Sequence, residues 1–217
     1  MPVKIHDISP LISEEIAVFP GDQKFERKVS MDFSKSDHLT LSSIHTSVHL
    51  GAHTDAPNHY HPSGLGIEAR AIEIYLGACQ VIEVLGKSNS RIQISDIQDK
   101  LLHSKRILFK TKSFPNPNKW NGNFAALSAE LIRYLAESGV ILVGIDTPSI
   151  DPADDKILES HNAIFENDMA ILEGIVLDQI PEGQYILSAL PLKIKDADAS
   201  PVRAVLIEGH IEDLWKI

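Results

Sequence analysis

Residues 47–62, SVHLGAHTDAPNHYHP, hold four of the ten histidines of the chain and one aspartate, Asp55. A fifth histidine, His45, lies just upstream. Histidine-dense tracts are typical of metal binding, and neutral imidazole combined with carboxylate suits zinc, manganese or iron(II). The stretch therefore predicts a metal site. The alternative is a surface tract that binds metal only adventitiously.

Two backbone conformations would gather these side chains. On a helix, His45, His49 and His53 would form one stripe. On an extended chain, the odd-numbered members would share one side: His49, His53, Asp55, His59 and His61. Gly51 and Pro57 argue against the helix. We therefore predict a strand that ends near Gly51 and continues as an ordered loop around the ion.

The rest of the chain alternates strand-like and helical patterns, which is typical of an α/β fold. Strands are predicted at residues 4–8, 25–33, 38–48, 79–85, 106–111, 140–146, 185–190 and 202–208. Helices are predicted at 95–102, at 128–139 and from near Asp154 onward. The Pro- and Asn-rich segment 113–124 is predicted to be a loop. It either covers a site or is an inert surface loop.

Composition excludes several classes of protein. The formal net charge of −10 argues against a nucleic-acid surface. No apolar run is long enough to cross a bilayer, and the start, MPVKIHDISP, lacks the apolar core of a secretory signal. The single cysteine, Cys79, is predicted to be a buried, inert thiol. We expect a soluble cytoplasmic protein with one domain over residues 1–209 and a short tail at 210–217.

A specific motif lies inside the histidine-rich stretch. HLGAHTDAPNH, from His49 to His59, fits the pattern His-x-Gly-[Thr/Ala]-His-x-Asp-x-Pro-x-His. This motif resembles the metal-dependent cyclase family and, within it, the bacterial-type kynurenine formamidases (arylformamidases). Further blocks similar to that family are FPGD at 19–22, GIDTPSIDPADD at 144–155 and DADASPVRAVL at 196–206.

The resemblance implies a two-metal site. His49, His53 and Asp55 would bind the first ion, and Asp55 would also reach the second. His161 would bind the second ion, and Glu173 would bridge both. The ions would be divalent, with zinc expected and manganese as the alternative. Without the resemblance, His161 and Glu173 would not be singled out.

The resemblance also implies roles for two residues outside the ligand set. His59 would be the general acid/base. Phe19 stands where kynurenine formamidases typically carry tryptophan, and it would bind the aromatic substrate. Phenylalanine keeps a stacking face but lacks the indole N–H donor.

The implied fold is a swivelling β/β/α domain, with a mixed sheet and flanking helices, that forms a homodimer or larger homo-oligomer. The implied activity is metal-dependent hydrolysis of an aryl formamide, N-formyl-L-kynurenine, to L-kynurenine and formate in tryptophan breakdown. One alternative is a related hydrolase that acts on a cyclic aromatic amide such as isatin. The other is a metal-binding protein without catalysis.

Overall fold

The computed structural model describes residues 3–209, and the predicted tail at 210–217 lies outside the described residues. The strands in this range are β1 (Lys4–Asp7), β2 (Glu26–Met31), β3 (Leu41–His45), β4 (His53–Asp55), β5 (Leu76–Glu83), β6 (Arg91–Ile92), β7 (Arg106–Lys110), β8 (Ala126–Leu127), β9 (Leu142–Ile145), β10 (Ala170–Leu172), β11 (Gly183–Ser188), β12 (Ala199–Pro201) and β13 (Val205–Glu208). The α-helices are α1 (Pro57–Tyr60), α2 (Ala129–Glu137) and α3 (Glu159–Glu166).

A seven-stranded sheet in the order β1-β13-β11-β5-β7-β9-β10 forms the centre of the fold. Strands β5, β7, β9 and β10 run parallel, whereas β11, β13 and β1 add antiparallel pairs. Parallel strands are normally covered on both faces, and all five residues of β7 are buried. The predicted α/β class, with a mixed sheet and flanking helices, is confirmed.

Each face of the sheet carries its own hydrophobic cluster. Phe109 and Val143 belong to the cluster that includes α2 and α3. The neighbouring residues, Leu108 and Leu142, belong to the cluster on the other face. This alternation follows from the two-residue period of a strand. Cys79 is fully buried in β5 as predicted, and burial raises the pKa of its thiol to about 12.

The helix predicted at 128–139 is present as α2. The Ser128 side chain accepts a hydrogen bond from the Leu131 N–H (3.1 Å), which caps the first turn. Gly139 follows the helix with a φ of +83°, a conformation that glycine adopts without strain. None of the helices between residues 3 and 209 has the length and hydrophobicity that a membrane span requires.

Two other helix predictions need correction. The segment 95–102 contains only the end of a 3₁₀ turn at Ile94–Asp96. The Asp96 side chain accepts from the Gln93 N–H (2.8 Å), which closes this single turn, and Leu101 is exposed and adds no packing that would extend it. The third helix begins at Glu159 rather than near Asp154. The Asp155 side chain accepts hydrogen bonds from the two N–H groups before Glu159, which fixes a turn there instead.

The strand predicted at 38–48 is shorter than expected. It ends at His45 and pairs with β2 in a two-stranded ribbon outside the main sheet. The next strand, β4, begins only at His53, so the prediction of one strand ending near Gly51 is wrong. A φ of +58° at Gly51 turns the chain between the two strands.

Candidate metal centre

All seven residues that were predicted to bind metal, transfer protons or bind substrate line one cavity of about 430 Å³. They are Phe19, His49, His53, Asp55, His59, His161 and Glu173. Three of them come from β4 and the turn before it, one from α1, one from α3 and one from the residue after β10, and Phe19 comes from the segment between β1 and β2. The fold therefore brings together side chains from both halves of the chain.

A short backbone bridge joins the two halves. The N–H of His53 donates to the carbonyl of Glu173 (3.0 Å), and the N–H of Glu173 donates to the carbonyl of His53 (2.9 Å). Gly174 has a φ of +64°, and a side chain there would meet the Gly51 carbonyl oxygen at 2.1 Å. Glycine at 174 thus permits the close approach that places His53 beside Glu173.

Asp55 lies at the centre of the cluster. One of its oxygens, Oδ1, is 2.9 Å from Nδ1 of His49 and 3.5 Å from Nε2 of His53. The other, Oδ2, is 3.4 Å from Nε2 of His161. Oδ1 is buried and receives no aligned hydrogen bond, although His49 is near. A buried carboxylate oxygen without a donor fits an atom that coordinates a cation.

The charges of the cluster also favour a cation. Burial disfavours the imidazolium of His49, but the neighbouring Asp55 outweighs it and raises the pKa to about 9. Burial likewise opposes protonation of His161, yet hydrogen bonds to Asp151 and Asp55 raise its pKa to about 10. The pKa of the Asp55 carboxyl is held well below its usual range despite burial, because histidines surround it. These shifts arise from the carboxylates of the cluster, whose negative charge a bound cation would balance.

Two groups of side chains have the spacing of metal ligands. His49, Asp55 and His59 form one group, and His53, Asp55 and Glu173 form the other, with the ligand atoms of each within 4.8 Å of one another. Asp55 belongs to both groups. The groups differ from the predicted ligand sets, because His49 and His53 fall in different groups and His161 falls in neither. The first group contains His59, to which the resemblance gives a different role.

His59 reaches the cavity from a helical turn. Pro57 begins α1, since its fixed φ suits the first position of a helix. The ring nitrogen Nε2 of His59 lies 4.0 Å from Oδ2 of Asp55, and the side chain remains 36% exposed. Partial burial lowers the pKa of His59 below its ordinary 6.5, so the ring is neutral near pH 7. A neutral imidazole there can accept a proton.

The extended arrangement considered for residues 49–61 does not continue beyond Asp55. The turn of α1 directs His61 away from the cavity, where its ring stacks on Phe165 with centroids 3.7 Å apart. His45 is exposed on β3. Neither His45 nor His61 is among the residues that line the cavity.

Aromatic side chains form one wall of the cavity. One of them, Trp120, was not singled out from the sequence. Phe19 packs edge-on against Trp120, with ring centroids 4.8 Å apart. Phe114, from the same 113–124 segment, also lines the cavity. The predicted loop is present and covers the site, which decides between the two alternatives for it. The sequence signal for this residue is the presence of a tryptophan within a loop.

Asp198 is a second residue that sequence reasoning missed. Its Oδ2 lies 3.0 Å from Nε2 of His49 and 3.7 Å from Nδ1 of His59. Strand β12 pairs with β4 so that Ala199 lies opposite Asp55, which places Asp198 beside the histidines. The block DADASPVRAVL contains Asp198, but nothing in its spacing distinguishes this residue from the other acidic residue there, Asp196.

Comparison with known proteins agrees with this geometry. The Cyclase family model matches residues 6–152, which include the whole histidine-rich stretch. The chain belongs to the cyclase family. The kynurenine formamidase of Bordetella pertussis is 41% identical to it over 210 residues, which span 94% of this chain and 98% of that enzyme. The resemblance stated from the sequence is thereby confirmed.

Solved structures with similar folds agree with this family. One described as a "potential metal-dependent hydrolase with cyclase activity" has a TM-score of 0.83 and 27% identity, over 96% of this chain and 99% of that one. Isatin hydrolase A from Labrenzia aggregata, bound to benzyl benzoate, has a TM-score of 0.78 and 20% identity. The match covers 96% of this chain and 94% of that one. The latter shares the fold. The first of these structures, described as metal-dependent, and the clustered His, Asp and Glu side chains support a metal cofactor.

Proposed function

We propose that the protein is a metal-dependent amidohydrolase that converts N-formyl-L-kynurenine and water to L-kynurenine and formate in tryptophan breakdown. The observation that carries this proposal is a buried set of His, Asp and Glu ligands that faces an aromatic wall across one cavity. The 41% identity to a kynurenine formamidase over nearly the whole chain supports the substrate. We propose that the active unit is a single domain over residues 1–209.

The proposed ligands match the predicted ones. His49, His53 and Asp55 would hold one ion, His161 would bind the second, and Glu173 would bridge them. When bound, the ions supply Lewis-acid chemistry, which lowers the pKa of a water and polarises the formyl carbonyl. Five nitrogen- and oxygen-donor side chains without cysteine suit zinc, with manganese as the alternative.

The side chains around the ligands would carry the proton transfers and bind the substrate. His59, neutral near pH 7, would accept a proton from the attacking water and then deliver it to the departing arylamine nitrogen. Phe19 and Trp120 would pack against the arene of the substrate. The cavity of about 430 Å³ lies within the range of small-molecule sites.

The direct test is turnover by the purified protein with its metal content measured in parallel. We expect formate release from N-formyl-L-kynurenine, with a kcat/KM well above that for isatin. Preference for isatin would favour the alternative hydrolase, whose fold is shared. A protein with full metal occupancy that hydrolyses neither compound would refute the proposed activity and favour a metal-binding protein without catalysis.

Metal removal should reduce activity in proportion to the metal lost. A chelator titrated against the protein is expected to remove two ions per chain, because two ligand groups share Asp55. Added Zn²⁺ or Mn²⁺ should restore turnover. Mass-spectrometric metal analysis along the titration checks the stoichiometry, and a plateau at one ion per active chain would contradict the two-metal proposal.

Phe19→Ala should raise the KM for N-formyl-L-kynurenine by about tenfold, with a smaller effect on kcat. An aromatic contact is worth roughly 0.5–1.5 kcal/mol beyond burial, and this contact is similar in the ground and transition states. Phe19→Trp is the matched control and should be tolerated, because tryptophan keeps an aromatic ring that can pack against Trp120. Steady-state kinetics of both variants decide the point. Unchanged kinetics in Phe19→Ala would limit this residue to packing.

We also propose that the protein is a homo-oligomer, a dimer or larger. Phe33, between β2 and β3, and Leu41 and Ile44, on β3, are exposed apolar side chains that a contact between chains would cover. Light scattering coupled to size-exclusion chromatography would measure the mass; a monomer at micromolar concentration would contradict this proposal. Cytoplasmic location remains a prediction.

A further inference from the structure

The two ring nitrogens of His161 face different surroundings. Nε2 points into the metal centre, 3.4 Å from Oδ2 of Asp55 and 3.7 Å from Oε1 of Glu173. Nδ1 lies 2.7 Å from Oδ2 of Asp151, a fully buried carboxylate. If Nδ1 carries the hydrogen and donates it to Asp151, the lone pair of Nε2 is free for a metal.

Asp151 is fixed by further hydrogen bonds. Its Oδ2 also accepts from the backbone N–H of His161 (3.1 Å). Its Oδ1 accepts from the backbone N–H of Ser160 (3.2 Å) and from Nη1 of Arg91 (2.6 Å). Each oxygen therefore receives at least two donors, so the carboxylate cannot rotate without losing several of them. The acceptor presented to Nδ1 is held in place.

Arg91 is itself held in place by several acceptors. Its Nη2 donates to Oδ2 of Asp155 (2.6 Å), its Nε lies 2.8 Å from Oε1 of Glu159, and its Nη1 also donates to the carbonyl of Leu127 (2.6 Å). The guanidinium thereby ties β6 to the segment that carries Asp151 and the start of α3. Neither Arg91 nor Asp151 is among the residues that line the cavity.

We propose that Asp151 and Arg91 are positioning residues of the metal centre, which fix the tautomer and ring orientation of His161 and so set the affinity of the second ion. Carboxylates that accept a hydrogen bond from a ligating histidine typically change metal affinity by about 10–100-fold. The inference rests on the proposed function only in taking His161 as a ligand. Arg91 acts through Asp151, so that Asp151 and His161 stand between it and the ion.

Asp151→Asn isolates this role because it keeps the size of the side chain. An amide has one acceptor oxygen, whereas Arg91 and His161 both require an acceptor. When the oxygen faces the charged guanidinium, the NH₂ group faces Nδ1 of His161. The opposite tautomer is then favoured, and Nε2 carries a hydrogen that points at the metal centre.

The experiment measures Zn²⁺ binding by competition with a chelating dye, without substrate. We expect Asp151→Asn to weaken one of the two sites by about 10–100-fold and to leave the other near wild type. In the Co²⁺-loaded protein, the visible spectrum of that site should weaken in parallel. Glu166→Gln is the matched control, since Glu166 ends the same helix but pairs with Arg133 at the surface, and it should bind both ions as wild type does.

Arg91→Lys provides a second variant with the charge retained. It should weaken the same site by less than Asp151→Asn does, because a lysine still donates to Asp151 but loses the planar fork. Two Zn²⁺ ions bound with wild-type affinity in Asp151→Asn would overturn the inference, even if the melting temperature fell. A wild-type protein that binds two ions without hydrolysing N-formyl-L-kynurenine would refute the proposed function and leave this inference intact.

Discussion

His59→Ala is expected to lower kcat for N-formyl-L-kynurenine by about 10²–10⁴ while the protein retains its metal. The ring lies at the edge of the ligand cluster, 4.0 Å from the nearest Asp55 oxygen and partly exposed, as suits a group that exchanges protons with substrate and water. Alanine removes the acid/base and leaves the five proposed ligands in place. Steady-state kinetics and metal analysis of the same preparation test this together.

His61→Ala is the control for His59→Ala. His61 lies directly after α1, stacks on Phe165 and faces away from the cavity, so its loss should leave kcat near wild type. A collapse of metal content in His59→Ala would contradict the acid/base role. His59 would then be a ligand, as its grouping with His49 and Asp55 also allows.

Asp55→Asn is expected to lower kcat by about 10³ or more and to reduce the affinity for both ions. Asp55 is shared by both ligand groups, and asparagine keeps its size while removing the negative charge. Stabilisation by bound metal contributes several kcal/mol to such reactions, and each 1.36 kcal/mol corresponds to a factor of about ten. Metal analysis and kinetics at saturating substrate would measure both effects.

Asp168→Asn is the matched control for Asp55→Asn. It removes one carboxylate from an exposed ion pair with Arg70, outside the cavity. It should leave metal content and kcat unchanged. If Asp55→Asn binds two ions with wild-type affinity, Asp55 cannot be the shared ligand, and the two-metal arrangement would need a different bridge.

The local part of the site could be predicted from the sequence. His49, His53 and Asp55 lie within seven residues, and the turn at Gly51 and the short strand β4 bring their side chains together. The helix at 128–139 could also be predicted, because its N-cap, its apolar face and its terminal glycine all indicate a helix with these bounds. In these segments the local signals and the tertiary structure favour the same result.

The rest depends on contacts between distant segments. Glu173 reaches the site because β10 aligns beside β9 and because its backbone pairs with His53, and neither contact leaves a local pattern. Resemblance alone indicated Glu173 and His161. The direction of His61 was not predictable either, because it depends on the single helical turn at Pro57. Trp120 was missed because a tryptophan in a loop does not by itself show which cavity the loop lines.

The pairing of His53 with Glu173 has a consequence for how metal and stability are linked. When that pairing is lost on unfolding, Glu173 leaves the site, but the histidines of 49–59 remain close in sequence and can still chelate an ion. A ligand that binds only the native state at 100 times its Kd stabilises it by about 2.7 kcal/mol, and residual binding to the unfolded chain reduces this gain. The melting temperature should therefore rise less with added Zn²⁺ than the native affinity alone requires, and the shortfall would measure the affinity of the unfolded tract.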